Sequence, residues 1–576
     1  MSLAKPSGTG FALALTGAAL LFCASVLGTT ALGATYTWDG GGADNNITTA
    51  LNWLGDAVPG ANSDVIWAGT VRLNVNIDAG GAGRTFTFDN TAGAFVIGGA
   101  ASSLSNGITN NSTNTQTLNF PLTLTGAQTF NAGSGNLVFG GTTLANGGFL
   151  LTIDGAKNTS IANVISGTGG LTKTGAGTLT LTNTNTYTGA STINGGTVSV
   201  NRDTSLGATS AGLTINAGTL EIATTFTNTR AITLGNAAST FQVDSAQTFT
   251  VNNAITGTGA LNKTGAGIML LGGANSYTGG TNVSAGTLRI TNNEKILNTT
   301  DLTVSGGTFD VQTYSETVRN VTLSSGSITG SGAGKVTASS YAVQSGTVSA
   351  ILAGTGATMT KTTAGTVALN GLNTFTGATT VSGGTLTLSS ASGGALGSTS
   401  SVTVNSGGTL LVSVNNQINN AATMTLAGGT FRVSSAQEGT TGASGVGALT
   451  LSSNSVIDLA GTSLLHLAAS NGQTWTGTLS IYNWNGTLKT GGGAEQLLFG
   501  ANNTALTQSQ LNAISFYSDS GSTFLGTGGF GTVGNGEIVP VPEPATYVAG
   551  IFALGVLVRH QRKRIRGLFR ARSATK

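Results

Sequence analysis

One cysteine, six prolines and two histidines occur in 576 residues, and charged side chains make up only 7% of the chain. The cysteine, Cys23, lies inside an apolar run near the amino terminus, and Phe22 before it is too large for a lipoprotein site. A chain that loses this run has no thiol, so disulfides and a cysteine nucleophile are excluded. Ordinary soluble proteins carry about a quarter charged residues, so the depletion is strong. Glu, Lys and Arg are scarce while Thr and Val abound, which argues against long amphipathic helices. Aromatics are 6%, and the five tryptophans form two clusters: Trp38, Trp53 and Trp67 in front, Trp475 and Trp484 behind. Glycine is plentiful, at 90 residues, but without a Gly-X-Y period, which excludes collagen. A hydrophobic content of 39% argues against a solvated, disordered chain.

The formal charge of +3 is unevenly placed. Eight of the 23 basic residues crowd into the last 18 positions: Arg559, Arg562, Lys563, Arg564, Arg566, Arg570, Arg572 and Lys576. Without these and Lys5, residues 34–544 hold fourteen basic against all 20 acidic groups, a balance of −6. The electrostatic footprint of a nucleic-acid partner is therefore missing.

Residues 1–33 read as a secretory signal: Lys5, an apolar centre over 11–27, and Ala31-Leu32-Gly33 as a small-residue cleavage site. The other end carries Pro542-Glu543-Pro544, an uncharged apolar run over 545–558, and the basic tail 559–576. Fourteen residues make a helix of roughly 21 Å, short for a hydrocarbon core of about 30 Å. The tail should stay cytoplasmic. The three parts in this order resemble the PEP-CTERM sorting signal. The resemblance implies export across a Gram-negative-type envelope and processing near the triplet by an exosortase. It assigns sorting roles to Pro542, Glu543, Pro544, Arg559, Arg562, Lys563 and Arg564. A plain tail anchor is the alternative.

Between the ends lies a repeat. Residues 165–198, 255–288 and 353–386 align, with Lys173, Lys263 and Lys361 matching. Fourteen residues after each lysine stands Tyr187, Tyr277 or Phe375, and two further on Gly189, Gly279 or Gly377. A finer cue, a small residue, a hydroxyl residue and an apolar one, recurs thirteen times from Thr178 to Thr430 at intervals averaging 21 residues. One interval, Thr240 to Ile268, is 28 residues long, and its two ends are the imperfect members. A period near 21 built of alternating strands and turns predicts an all-β solenoid, a parallel β-helix stacked at roughly 4.8 Å per coil. About 19 such rungs would make a rod of roughly 90 Å. Apolar side chains and threonine would fill the interior, Thr and Asn would stack in ladders, and Gly196 and Gly286 would turn tight corners.

The stretch GTGGLTKTGAGTLTLT followed by NTYTGASTINGGTV resembles the autotransporter-associated β-strand repeat, also called the passenger-associated transport repeat. That implies a β-helical surface or secreted passenger. The resemblance stops short of the carboxyl end, where an autotransporter has a membrane barrel and this chain has a basic tail. The expected divisions are a signal peptide over 1–33, an N-terminal cap over 34–85, a solenoid over 86–433, a C-terminal β block over 434–538, and a sorting segment over 539–576. The tryptophan clusters would pack the two caps.

Parallel β-helices also host polysaccharide lyases and glycoside hydrolases, whose sites need clustered carboxylates on one face. Here the acidic residues are scattered, and the nearest approach to a cluster is Asp39, Asp44, Asp56 and Asp64 among Gly and Asn. Calcium could sit there, but capped turns fit better, because neither the EF-hand nor the nonapeptide spacing is present. His466 in an apolar run reads as a core or interface residue. The three lysines either bind an anionic polymer in a row or solvate coil corners, the second being favoured. No catalytic, metal or cofactor residue is expected. The sequence thus predicts a non-enzymatic, exported structural element or adhesin of the cell surface or extracellular matrix. Its expected partners are the export machinery, an exosortase-like enzyme, an extracellular polysaccharide and, before processing, the membrane. The alternatives are a carbohydrate-active β-helix enzyme and a non-catalytic polysaccharide-binding protein.

Overall fold

The computed structural model describes residues 33–60, 63–79, 85–439 and 445–542, and singly Arg559 and Arg562. The chain winds into a parallel β-solenoid whose coils have three sides, each a stack of short strands. The first stack starts with Thr35–Trp38, Asp64–Trp67 and Thr85–Phe88 and climbs to Ile255–Gly257. The second runs without a break from Asn74–Ile77 to Leu449–Ser453, nineteen strands paired in parallel throughout. The third begins at Ser102–Leu104, gives way after Val164–Ser166 to turns at Tyr187 and Asp203–Leu206, and resumes from Phe226–Asn228 to Ile514–Tyr517. The nineteen rungs match the count the 21-residue period gives. Among residues 33–542 as described, the α-helix is Gln508–Asn512, with 3-10 turns at Ala50–Asn52 and Asp203–Leu206.

Alternation drives this winding. In Thr178–Leu181 and Thr219–Ile222 every second residue is buried and the polar partners, Thr178, Thr180, Thr219 and Glu221, face out. Each buried Val, Leu, Ile or Phe removes its side chain from water, worth about 1.5–3 kcal/mol. Backbone donors are satisfied by the coils above and below rather than within a coil. The interior also takes whole aromatic rings, such as Tyr187, Tyr277 and Phe375, which are buried.

The sequence copies do not repeat in step with the coil. Four rungs of the first stack separate the Lys173 strand from Ile255–Gly257, and the next strand, carrying Lys263, falls in the second stack. The first two copies are thus four and one-third turns apart. Lys263 and Lys361 both lie in the second stack, five whole turns apart. The 28-residue interval from Thr240 to Ile268 is this slip: Thr240 belongs to the second stack and Ile268 to the third.

Corners depend on glycine. Gly196, Gly286 and Gly384, at the same place in the three copies, share φ of +60°. A Cβ on any of them would lie 2.3 Å from a carbonyl oxygen of the coil below. The tight corners expected at Gly196 and Gly286 are present.

Coiling passes through the boundaries expected at 85 and 433. The strands Thr35–Trp38 and Asp64–Trp67 are already parallel rungs. Trp38, Trp53 and Trp67 meet at ring separations of 5.2–5.8 Å and plug the first coils. At the far end Ile514–Tyr517 pairs antiparallel with Phe524–Phe530, which pairs antiparallel with Ile538–Val541. This reversal closes the last coil, and Pro540 in the final strand weakens its pairing edge. Trp484 packs there against Phe516 at 5.5 Å, whereas Trp475 remains partly exposed.

The sorting segment is mostly beyond this view. Pro542 directly follows the last strand and is half-buried, and Arg559 and Arg562 are helical and exposed. Glu543, Pro544, Lys563, Arg564, the apolar run 545–558 and residues 1–32 of the signal lie outside the described residues. Among the described residues no helix is long and apolar enough to cross a membrane.

Candidate functional site: the repeat interior and the clefts beside it

The matching lysines do neither of the two things the sequence suggested. Lys173, Lys263 and Lys361 are buried, at most 2% exposed. Each stands at the end of a strand or one residue before it, with its stem inside the coil, and turns its ammonium onto corner carbonyls. Lys263 Nζ donates to Thr264 O at 2.7 Å, Gly265 O at 2.8 Å and Ala285 O at 3.2 Å. Lys361 Nζ donates to Thr363 O and, at 2.9 Å, to Gly383 O; Lys173 Nζ donates to Gly175 O. The left-handed corner points several carbonyls inward, and a long cation satisfies them where a hydroxyl would be too short. Burial pushes the Lys263 amine down to about 8. These lysines are corner ties, unavailable to a polymer outside.

A second set, which sequence reasoning overlooked, lies twelve residues after each lysine: Asn185, Asn275 and Asn373. Asn275 Oδ1 accepts from Ile255 N at 2.8 Å in the coil below, and its Nδ2 donates to Lys295 O at 2.7 Å in the coil above. Asn185 and Asn373 repeat both contacts, to Ile165 and Ser205 and to Leu352 and Ala395. Tyr187 and Tyr277 share hydrogen bonds with Ser191 at 2.7 Å and Thr281 at 2.6 Å. The signal was available as Asn-Thr/Ser-Tyr/Phe-Thr-Gly in all three copies. Here a coil side has no strand, and the amide replaces the missing ladder. Asn275→Ala should therefore destabilise the fold by about 3 kcal/mol, since it orphans a buried donor and a buried acceptor. Loss of amide-exchange protection at Ile255 would check it.

Two buried carboxylates work alike. Glu316 accepts from Lys295 N at 2.7 Å and Ile296 N at 2.9 Å, and Glu438 from Gln417 N at 2.7 Å and Ile418 N at 3.0 Å. Burial pushes them up to about 8 and about 7 against the pull of those donors. They stand four or more coils apart and form no acid pair.

The front aspartates are spent on turns. Asp44 accepts from Thr49 Oγ1 at 2.7 Å and Asn46 N at 3.0 Å, and these bonds hold its carboxyl below the usual range. Asp39 accepts from Gly41 N at 3.0 Å, Asp64 from Thr85 Oγ1 at 2.7 Å, and Asp56 occupies a left-handed turn with φ of 51°. Among the described residues no three His, Cys, Asp or Glu side chains gather as a metal site. His466 is buried, with Nε2 2.9 Å from Gly500 O, as expected of a core residue.

Outside, hydroxyl and amide side chains align rung by rung. On the second stack Thr178, Thr197, Thr219, Thr240, Asn262, Asn282, Thr303 and Thr322 stand in one register. Charges appear on the third stack as Arg289–Asp310 at 2.8 Å and Arg432–Asp458 at 3.4 Å. Two of the clefts that break this surface lie wholly among the described residues. One, of about 580 Å³, crosses the coils at Thr317–Arg319, Thr337–Ser339 and Gly354–Gly356, beside the exposed Arg319–Asp301 pair. The other, of about 240 Å³, lies at Trp475 near the C-terminal end. Neither is lined by an acidic side chain.

Comparison with known proteins bears on the coils alone. The model of the Passenger-associated-transport-repeat matches residues 171–200, 261–290 and 359–388. Each match opens on the lysine strand and closes on the strand beyond the left-handed glycine. The adhesin BmaC autotransporter of Brucella suis biovar 1 (strain 1330) is 35% identical over 133 residues, 23% of this chain and 4% of that protein. The chain therefore spans a small part of the length of the curated relative it matches. No solved structure matches. The solenoid thus carries three matches to the passenger-associated transport repeat, and over 133 residues it is similar to part of an adhesin autotransporter.

Proposed function

We propose that this protein is a non-catalytic structural element or adhesin, exported to the cell surface or extracellular matrix and sorted by an exosortase-type system. The observation that carries the reading is the nineteen-rung second stack with its long uncharged exterior row. A rod stabilised between coils can be lengthened without a larger core, which suits reach and repeated weak contacts. Its interior polar groups are committed to corner carbonyls and neighbouring coils, leaving no acid–base pair in either cleft. An adhesin among its relatives in sequence favours the same role.

For sorting, the last strand ends at Val541 and Pro542 follows it. The triplet begins at Pro542, directly after the last strand, so cleavage within or beyond it would spare every coil. Intact-mass measurement on protein recovered from the host's surface or medium tests this. A mass lacking Arg559 to Lys576 is expected, and a surface protein that retains them overturns the processing step. Deletion of the gene should reduce attachment or matrix cohesion, and unchanged adhesion with undiminished matrix would defeat the adhesive reading.

A further inference from the structure

We propose that the cleft at Trp475 is a subsite for one neutral pyranose unit of a polysaccharide. The inference deepens the adhesin reading and rests on it only for the setting in which such a sugar is met.

Of the five tryptophans, four are at most 2% exposed, and Trp475 alone reaches the surface. Its ring is held rather than loose. Nε1 donates to Leu449 O at 2.8 Å, and the indole lies 6.1 Å from Phe499. The cleft wall is braced by Gln510, whose Nε2 donates to Ser470 O at 2.8 Å and Gln473 O at 3.1 Å, while Oε1 accepts from Thr507 N at 2.8 Å. A held aromatic side chain thus borders a braced cleft before any ligand arrives.

The rim supplies the rest. Gln473 Oε1 is taken by Thr450 Oγ1 at 3.1 Å, which leaves its Nε2 to donate. Asn471 Nδ2 is taken by Thr504 O at 2.9 Å, which leaves its Oδ1 to accept. Ser509 Oγ has no partner among the described residues and can do either. A donor, an acceptor and a hydroxyl around an aromatic ring match a molecule with an apolar face and a rim of hydroxyls, which is a pyranose. No cation lines the cleft to hold a phosphate, sulfate or carboxylate, so nucleotides and acidic sugars are disfavoured. A cleft of about 240 Å³ holds one such ring and, being open at the surface, lets the chain continue on either side.

The test titrates the full-length protein with neutral gluco-, xylo- and manno-oligosaccharides, with alginate and a proline-rich peptide as contrasts. Tryptophan fluorescence and calorimetry are read together. Saturable binding of at least one neutral series is expected, with an emission change, since only Trp475 is open to contact. Trp475→Ala should weaken it by about tenfold or more, and Trp475→Phe should restore part. Because Trp475→Ala could loosen the cap, Ser509→Trp serves as a second variant, filling the cleft from an exposed position. It should abolish binding with the melting temperature unchanged. Absence of saturable binding by every neutral series overturns the subsite. So does binding unaffected by both variants, or preferential binding of alginate or the peptide. If the unaltered protein binds no neutral series while its cells still adhere, the subsite fails and the adhesin reading stands; if Ser509→Trp abolishes sugar binding and its cells still adhere, the subsite stands and adhesion runs through another surface.

Discussion

Gly286→Val is expected to destabilise the middle of the rod by about 3–5 kcal/mol, the largest effect of any single corner change. The residue has φ of +60°, where a β-branched side chain is strained, and its new Cβ would sit 2.3 Å from Gly267 O and 2.5 Å from Gly265 O. Those carbonyls belong to the corner that Lys263 ties, so relief by backbone movement would pull Gly265 O off the ammonium. Asn282→Val, four residues earlier in the outward row, gives up one hydrogen bond of 2.7 Å to Asn262 and should cost about 1 kcal/mol. A solenoid opens locally, so a single melting midpoint would blur the difference. Amide exchange read rung by rung resolves it: protection should fall on the coils around Gly286 and persist near Trp38. Equal effects of the two substitutions would show that the corner is not a point of strain.

Arg230→Leu comes second, at about 3–5 kcal/mol. The guanidinium is fully buried, with Nε 2.7 Å from Asp203 Oδ1 and Nη1 2.9 Å from Leu206 O and 3.1 Å from Ala211 O. It stands in for strand pairing where the third stack has the turn Asp203–Leu206. Removing it leaves a carboxylate facing the interior with only Thr229 as partner and frees several turn carbonyls. Arg230→Lys should rescue little, since one ammonium cannot replace a planar fork on so many acceptors. Asp203→Leu combined with Arg230→Leu should recover part of the loss, because the stranded charge is gone. Denaturant unfolding followed by near-ultraviolet dichroism of Tyr187, which lies in the coil below, would report it.

The sequence shows the architecture well and the interior chemistry poorly. Strand alternation at Thr178–Leu181 and the recurrence of its cue gave the coil and the rung count, because parallel stacking imposes both directly on residue order. Gly196 and Gly286 were legible as corners for the same reason. Lys263 was misread, since a lysine's usual place is in water and only the fold reveals that a left-handed corner aims carbonyls inward. Asn275 was passed over because Asn followed by Ser276 and Tyr277 looks like any polar turn until the missing strand on that side is seen. Trp475 was grouped with Trp484 as cap packing, and sequence spacing alone cannot tell a ring that fills a core from one that borders a cleft. The carbonyl partners of Asn275 and Trp475 lie 20 and 26 residues away, in the neighbouring coil.

The third-of-a-turn slip between the first two copies bears on how such a chain changes length. Lys173 ties its corner in the first stack and Lys263 ties the equivalent corner in the second, so two of the three sides accept the same side chains. The coil therefore has an approximate screw symmetry finer than one turn. The smallest insertion or deletion it absorbs is one strand with one corner, about seven residues, rather than a full rung of 21. Such a change leaves every later strand hydrogen-bonded as before but turns the whole distal surface by about 120° about the axis. Growth and shrinkage of the gene would then adjust the bearing of the protein's far end as well as its reach.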